Sequence, residues 1–239
     1  MPPTELTDWV EHFWLEDWQF ESGAPQTREV LPHPSVHLVF AAGRSRIYGV
    51  QLRRFVRQLK DKDCILGIKF HPGAFYPFSR KPVSEIANTS VLATEVFPNA
   101  ADAEKEVLTC SQDASMVQTA AKFLMAHLPS GDPRVDRARL AVEQIATDRS
   151  VTRVEHVIAR CGIAERTLQR LFDRYVGASP RWVIKRYRIY EALESTTAGT
   201  RTEWADLAQS LGYFDQAHFI NDFKKLVGCS PTEYARPSA

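Results

Sequence analysis

The chain has 239 residues, 44% hydrophobic and 25% charged, with a formal net charge of +1. That balance fits one or two folded domains and excludes bulk disorder. No apolar run approaches the ~18 residues a membrane helix needs, and the opening MPPTELTDWVEHFW lacks a basic stretch followed by an apolar one. The expectation is a cytoplasmic protein with no membrane partner. Cys64, Cys110, Cys161 and Cys229 lie far apart and form no C-x-x-C pair, so neither a zinc ribbon nor a dithiol motif is expected.

Residues ~7–71 read as strands, because HPSVHLVFAAG, RIYGVQL, RFVRQLK and CILGIKF are short β-branched or apolar runs punctuated by Gly, Asp and Pro. Residues ~82–128 read as mostly helical. ADAEKEVLTC and SMVQTAAKFLMAHL have apolar residues at helical spacing, the second with Val117, Ala121, Leu124, Met125 and Leu128. Pro129-Ser130-Gly131-Asp132-Pro133 interrupts any helix. Asp132 is placed to cap the next one, with Pro133 at its first position. From there on every segment reads as a short helix. The fold class expected is α+β. Residues 1–130 form a small antiparallel β-sheet domain with helices, and residues 132–239 an all-α domain of about seven helices.

A repeat organises the second half. Val176-Gly177-Ala178-Ser179-Pro180 returns 51 positions later as Val227-Gly228-Cys229-Ser230-Pro231. Phe172 and Leu168 match Phe223 and Phe219 at that offset, and Gly162 matches Gly212 with one residue inserted in the turn. Two copies of one supersecondary unit follow, each with helix-turn-helix grammar. In the first, Thr152 is placed to cap a helix with Val154, Val157 and Ile158 that stops at Gly162. The second helix buries Leu168, Leu171, Phe172, Tyr175 and Val176. Its opposite face carries Glu165, Arg166, Gln169, Arg170, Asp173 and Arg174. In the second copy, Thr202 is placed to cap a helix with Trp204, Ala205, Leu207 and Ala208. Asp215 then caps a helix burying Phe219, Phe223, Leu226 and Val227. Its outer face carries Gln216, Ala217, Ile220, Asn221, Lys224 and Lys225. Ser179-Pro180 opens a joining helix of ~16 residues, ~24 Å long at ~1.5 Å per residue. Its Arg181, Lys185, Arg186 and Arg188 are expected to face phosphate or solvent.

Arg, Gln and Asn on an exposed helix face suit the donor and acceptor pattern of the DNA major groove. Charge distribution agrees. Arg149 to Arg188 holds ten Lys or Arg against three acids, leaving +7 there and −6 elsewhere to sum to +1. A local positive field of this kind attracts polyanions.

GIAERTLQRLFDRYVGASPRWVIKRYRIYEAL followed by LAQSLGYFDQAHFINDFKKLVGCSPTEY resembles the AraC/XylS family DNA-binding domain over residues 132–236. LPHPSVHLVF and GIKFHPGAFYPF resemble an N-terminal domain found on some members. The resemblance implies a transcription regulator whose partner is double-stranded DNA, with Arg166, Gln169 and Arg170 reading bases in the first unit. Gln216, Ala217 and Asn221, with His218 nearby, read them in the second. Arg174 and Lys224 share those faces. The family often has arginine where Asn221 stands, and a polar residue at Ala217, so the first unit is expected to dominate specificity. The N-terminal domain is implied to sense a small-molecule effector or to form a homodimer.

Trp9, Phe13, Trp14, Trp18, Phe20, Phe40, Tyr48, Phe70, Phe75 and Tyr76 are enough to fill a core or to line a pocket. Arg53, Arg54 and Arg57 suit a solvated edge or an anion. His33, His37 and His71 are the only histidines spaced for a metal, and no acidic partner accompanies them. The competing reading is a DNA-targeted enzyme with a catalytic N-terminal half. It lacks G-x-S-x-G, H-E-x-x-H and Walker motifs, and Cys64 stands alone in its region. A purely structural partner-binding protein is the third reading. No cofactor is implied.

Overall fold

The computed structural model describes residues 1–20, 26–59, 62–197 and 204–235. Seven strands among them form two antiparallel sheets. They are β1 (Val10–Gln19), β2 (Gln26–Val30), β3 (His37–Phe40), β4 (Arg46–Tyr48), β5 (Phe55–Leu59), β6 (Lys62–Phe70) and β7 (Ser90–Leu92). The larger sheet has the order β1-β6-β3-β4-β7, and β2 pairs with β5. CILGIKF takes the interior position because it is apolar on both faces. Leu66, Ile68 and Phe70 point into the main core, and Ile65 points to the other side with Val39 and Ala41. β7 lies where the sequence suggested helix. Its three residues pair with β4 and are too few for periodicity to reveal.

Helices α1 (Tyr76–Ser79), α2 (Ala100–Leu108) and α3 (Asp113–Met125) complete this half. They close one face of the large sheet over a cluster of edge-packed rings, including Phe40–Phe123 and Phe70–Phe75 at centroid distances of 5.7 and 5.1 Å. Of the ten aromatics named from sequence, Phe40, Phe70 and Phe75 fill this core, while Trp14, Trp18 and Tyr48 stand on the opposite face of the sheet.

The second half is helical throughout its described residues: α4 (Pro133–Thr147), α5 (Val154–Cys161), α6 (Glu165–Leu171), α7 (Pro180–Thr197), α8 (Trp204–Ser210), α9 (Gln216–Val227) and α10 (Pro231–Tyr234). Asp132 caps α4 by accepting from the Arg134 amide at 2.9 Å, with Pro133 at the first helical position. α5 starts one residue later than expected. Arg153 is its N-cap, without a side-chain bond, and Thr152 lies outside the helix with its amide on His156 Nδ1. The cap expected at Thr202 lies outside the described residues.

Packing does not follow the proline-rich boundary. One core runs from Leu6 through the sheet, α2, α3 and α4 to Val157, Tyr175, Val176 and Ile184, so it takes in the whole first helix-turn-helix unit. The second unit has its own core of Ile189, Leu193, Phe219, Phe223 and Leu226 with their neighbours. Leu31 and Trp182 pack against that second core, and Trp182 against both. Tyr175 shows how the first unit is held. Its hydroxyl donates to Asp132 Oδ2 at 2.5 Å and its ring lies 4.5 Å from that of Tyr76. Burial, helped by the bond to Asp132, pushes its phenol up to about 12.

Among the described residues no three His, Cys, Asp or Glu side chains are grouped to hold a metal. The histidines weighed for that role have other partners. His33 bonds Ser35 Oγ at 2.9 Å, and His37 accepts from Trp14 Nε1 at 3.2 Å. No helix among the described residues is long and apolar enough to cross a membrane.

Candidate nucleic-acid interface

Each unit turns on a left-handed glycine, Gly162 at φ 62° and Gly212 at φ 81°, and each second helix ends on another, Gly177 at φ 80° and Gly228 at φ 97°. A residue without Cβ adopts these angles without the clash other side chains meet, which is why the repeat preserves glycine there. The two joints are therefore built alike, and each second helix leaves its turn with one stripe buried and one exposed.

In the first unit, Leu168, Leu171, Phe172, Tyr175 and Val176 are buried. α6 loosens into a π-helical turn over Phe172–Val176. Arg166, Gln169 and Arg170 are exposed on the opposite face. Gln169 Nε2 donates to Glu165 Oε1 one turn earlier at 2.9 Å, which holds the amide along the helix. Arg166 and Arg170 make no ion pair among the described residues, so their guanidinium donors face solvent. Arg174 is exposed too, but its guanidinium lies 5.3 Å from the centre of the Tyr76 ring, turned toward the N-terminal half.

In the second unit, Asp215 caps α9 through the His218 amide at 2.7 Å. Gln216, Ala217, Asn221 and Lys224 are exposed. His218 is half-exposed, with Nε2 3.4 Å from Asp222 Oδ2 and its ring against Tyr213. Ile220 packs against the second core. Asp222 is buried and receives Lys185 Nζ of α7 at 2.6 Å, which ties the second recognition helix to the connector.

Both units border one groove of about 620 Å³. Glu165 and Gln169 line it from the first unit, His218 from the second, and Arg181 and Lys185 from the connector. The units meet at its end. A Cβ on Gly212 would lie 2.5 Å from Thr152 Cβ, closer than van der Waals contact allows. Two residues here escaped sequence reasoning. Arg153, the N-cap of α5, is exposed on the groove wall. Phe214, also on the wall, is 97% exposed. An apolar residue just before a cap ordinarily folds onto the fourth helical residue, here Phe219. Tyr213 takes that place instead, at 5.4 Å.

The positive segment is smaller than its sequence suggests. Arg186 and Arg188, expected to face phosphate or solvent, are 4% and 2% exposed. Arg186 Nε donates to the Pro32 carbonyl at 3.0 Å, and Arg188 to the carbonyls of Ile145 and Arg149. Arg149 pairs with Glu191, Arg160 with Asp148 and Lys185 with Asp222. Arg153, Arg166, Arg170 and Arg181 remain exposed and make no ion pair among the described residues.

Comparison with known proteins matches residues 157–237 to a helix-turn-helix domain family and residues 1–92 to a domain of unknown function. YkgA of Escherichia coli (strain K12), named as a candidate HTH-type transcriptional regulator, is 32% identical over 81 residues. The match covers 34% of this chain and 34% of that relative's length. Solved structures of ToxT from Vibrio cholerae are similar in outline only. An apo variant has a TM-score of 0.47 at 12% identity, covering 93% of this chain and 96% of ToxT. A form bound to an unsaturated fatty acid has 0.41 at 13%, covering 93% and 94%. The paired units with their repeated glycines are the structural form of this match, and residues 157–237 belong to that helix-turn-helix domain family.

Proposed function

We propose that the chain is a sequence-specific transcription regulator in which two helix-turn-helix units read adjacent major-groove segments of one duplex. One observation carries this reading: side chains of both recognition helices border a single groove, beside arginines that make no ion pair among the described residues. Arg166, Gln169 and Arg170 read bases from the first unit, and Gln216, Ala217, Asn221 and Lys224 meet the duplex from the second, with His218 at its edge. Arg153 and Arg181 hold phosphates and fix register. α7 has 18 residues, ~27 Å at ~1.5 Å per residue, which suits recognition helices about one duplex turn, ~34 Å, apart. Residues 132–239 act as the DNA-binding domain. Residues 1–130 act as a domain that senses a small molecule or pairs two chains, and so modulates occupancy.

The test is selection of binding sites from random duplexes, followed by gel shifts at two fixed salt concentrations. Arg170→Ala is expected to lower specific affinity by about 1–3 kcal/mol, the usual worth of a bidentate base contact. Asn221→Ala is expected to lower it less. Equal losses would remove the ranking, and a selected duplex bound no better than a random one would remove the function.

A further inference from the structure

We infer that Phe214 is a specificity-determining residue of the second unit, and that its ring recognises the C5-methyl group of a thymine in the major groove. The inference deepens the DNA-binding reading above and rests on it.

The local chain holds this ring in water. Gly212 turns the backbone at φ 81°, and the Tyr213 amide then donates to the Ala208 carbonyl at 2.9 Å, which closes α8. Tyr213 goes inward, with its ring 5.4 Å from that of Phe219 and 5.3 Å from that of His218. Asp215 follows in extended conformation, at φ −147° and ψ 164°, with its carboxylate on the His218 amide at 2.7 Å. Phe214 lies between an anchored tyrosine and an anchored cap, and it points outward. It is 97% exposed, whereas the other exposed large apolar side chains among the described residues, Met1 excepted, reach 49% at most. A phenyl left in water forfeits the apolar transfer that core rings gain, so this one is available to a partner.

Position, charge and chemistry name that partner. Phe214 stands one residue before the cap of α9, and a recognition helix in the major groove presents its N-terminal end to base edges. The ring lines the groove of about 620 Å³ and an adjoining one of about 590 Å³, and Arg153 lines both with it. Arg153, and Arg181 in the first groove, are exposed and make no ion pair among the described residues. The acids on these walls, Glu155, Glu165 and Asp215, repel phosphate and confine the duplex backbone to the arginines. The apolar group that the major groove offers is the thymine C5-methyl, and phenylalanine is among the residues that recognise it. Ile220, the large apolar residue of the outer α9 face, packs against the second core instead. Ala217 is exposed but reaches only as far as its own methyl.

The test uses the full chain and the duplex selected from random sequences. Each thymine of that duplex is replaced in turn by uracil, which removes the methyl group alone. At one thymine, uracil is expected to weaken the wild-type complex about fourfold, the worth of one methyl withdrawn from water. Phe214→Ala should bind the unmodified duplex more weakly by at least that factor and should no longer distinguish thymine from uracil there. Phe214→Leu should keep part of the distinction. Leu140→Ala, which removes an exposed apolar side chain of α4, should keep all of it. Both Phe214 variants should keep the wild-type melting midpoint, since the ring packs on no core. Both should also bind a random duplex as the wild type does, because the arginines are intact. A uracil difference that survives in Phe214→Ala at every thymine overturns the inference, as does a selected duplex with no methyl-dependent position. Equal losses on selected and random duplexes would mean that the ring meets the backbone, and would overturn it too. A chain that selects no duplex refutes the DNA-binding reading and this inference with it; the other failures leave that reading standing.

Discussion

His33 and His37 are titratable groups held neutral by their surroundings. Burial, then the charges of Arg186 and Lys69, lower His33 from 6.5 to about 2. Burial and then Lys69 lower His37 to about 4. Below pH 6.5 the unfolded chain binds protons that the folded chain refuses, so stability falls as pH falls from about 6.5 toward 4. The urea midpoint at pH 5.5 is therefore expected to lie below that at pH 7.5, a range in which few carboxylates titrate. His33→Gln with His37→Gln should flatten the difference. An unchanged slope in that double variant would mean that other groups cause it. At this scale two of the expected caps, Asp132 and Asp215, were legible in the sequence, whereas Thr152 does not cap α5. Asp132 and Asp215 bond amides two and three residues ahead, within reach of local pattern. The burial of Arg186 and Arg188 was not legible. Arg186 donates to a carbonyl 154 positions away, and Arg188 to one 43 positions away.

The turn glycines separate two causes at the scale of elements. Gly162 and Gly177 are both left-handed, but nothing lies within 4 Å of a Cβ built on Gly162, whereas one on Gly177 comes 2.7 Å from Val83 Cγ1. Gly162→Ala should cost about 1 kcal/mol from backbone conformation alone. Gly177→Ala adds the overlap with Val83 and should cost roughly 1–3 kcal/mol more. Urea unfolding of the two variants measures the difference. Equal costs would mean that the first unit is not seated on the N-terminal half as described. The positive φ was legible from the repeat, while the contact with Val83 was not, since it joins segments with no shared pattern.

For the molecule as a whole, two cores joined through α7 and Trp182 imply unequal stability. The first unit opens only by breaking the main core. Each fully buried large side chain there contributes roughly 1.5–3 kcal/mol, and Phe172, Tyr175 and Val176 are all buried. Among the described residues the second unit rests on nine buried residues and their neighbours. Native-state hydrogen exchange is expected to protect amides of 165–176 more strongly than those of 216–227. The reverse order, or a single common opening energy, would show that the cores melt as one. Such an arrangement seats the first unit in the main core and rests the second on α7, Leu31 and Trp182.

The sequence by itself determined the two helix-turn-helix units, their turn glycines, the caps at Asp132 and Asp215, and most of the outward face of each recognition helix, Ile220 excepted. All of these are set by dihedral preference and by spacing within one or two turns. Only the tertiary structure decided that the first unit shares its core with the sheet, that Arg186 and Arg188 are structural, that Arg174 turns to Tyr76, and that Phe214 and Arg153 share one groove wall. A charged or apolar side chain has no intrinsic inside. Whether it meets water, a carbonyl or a ring depends on segments brought beside it from tens to more than a hundred positions away.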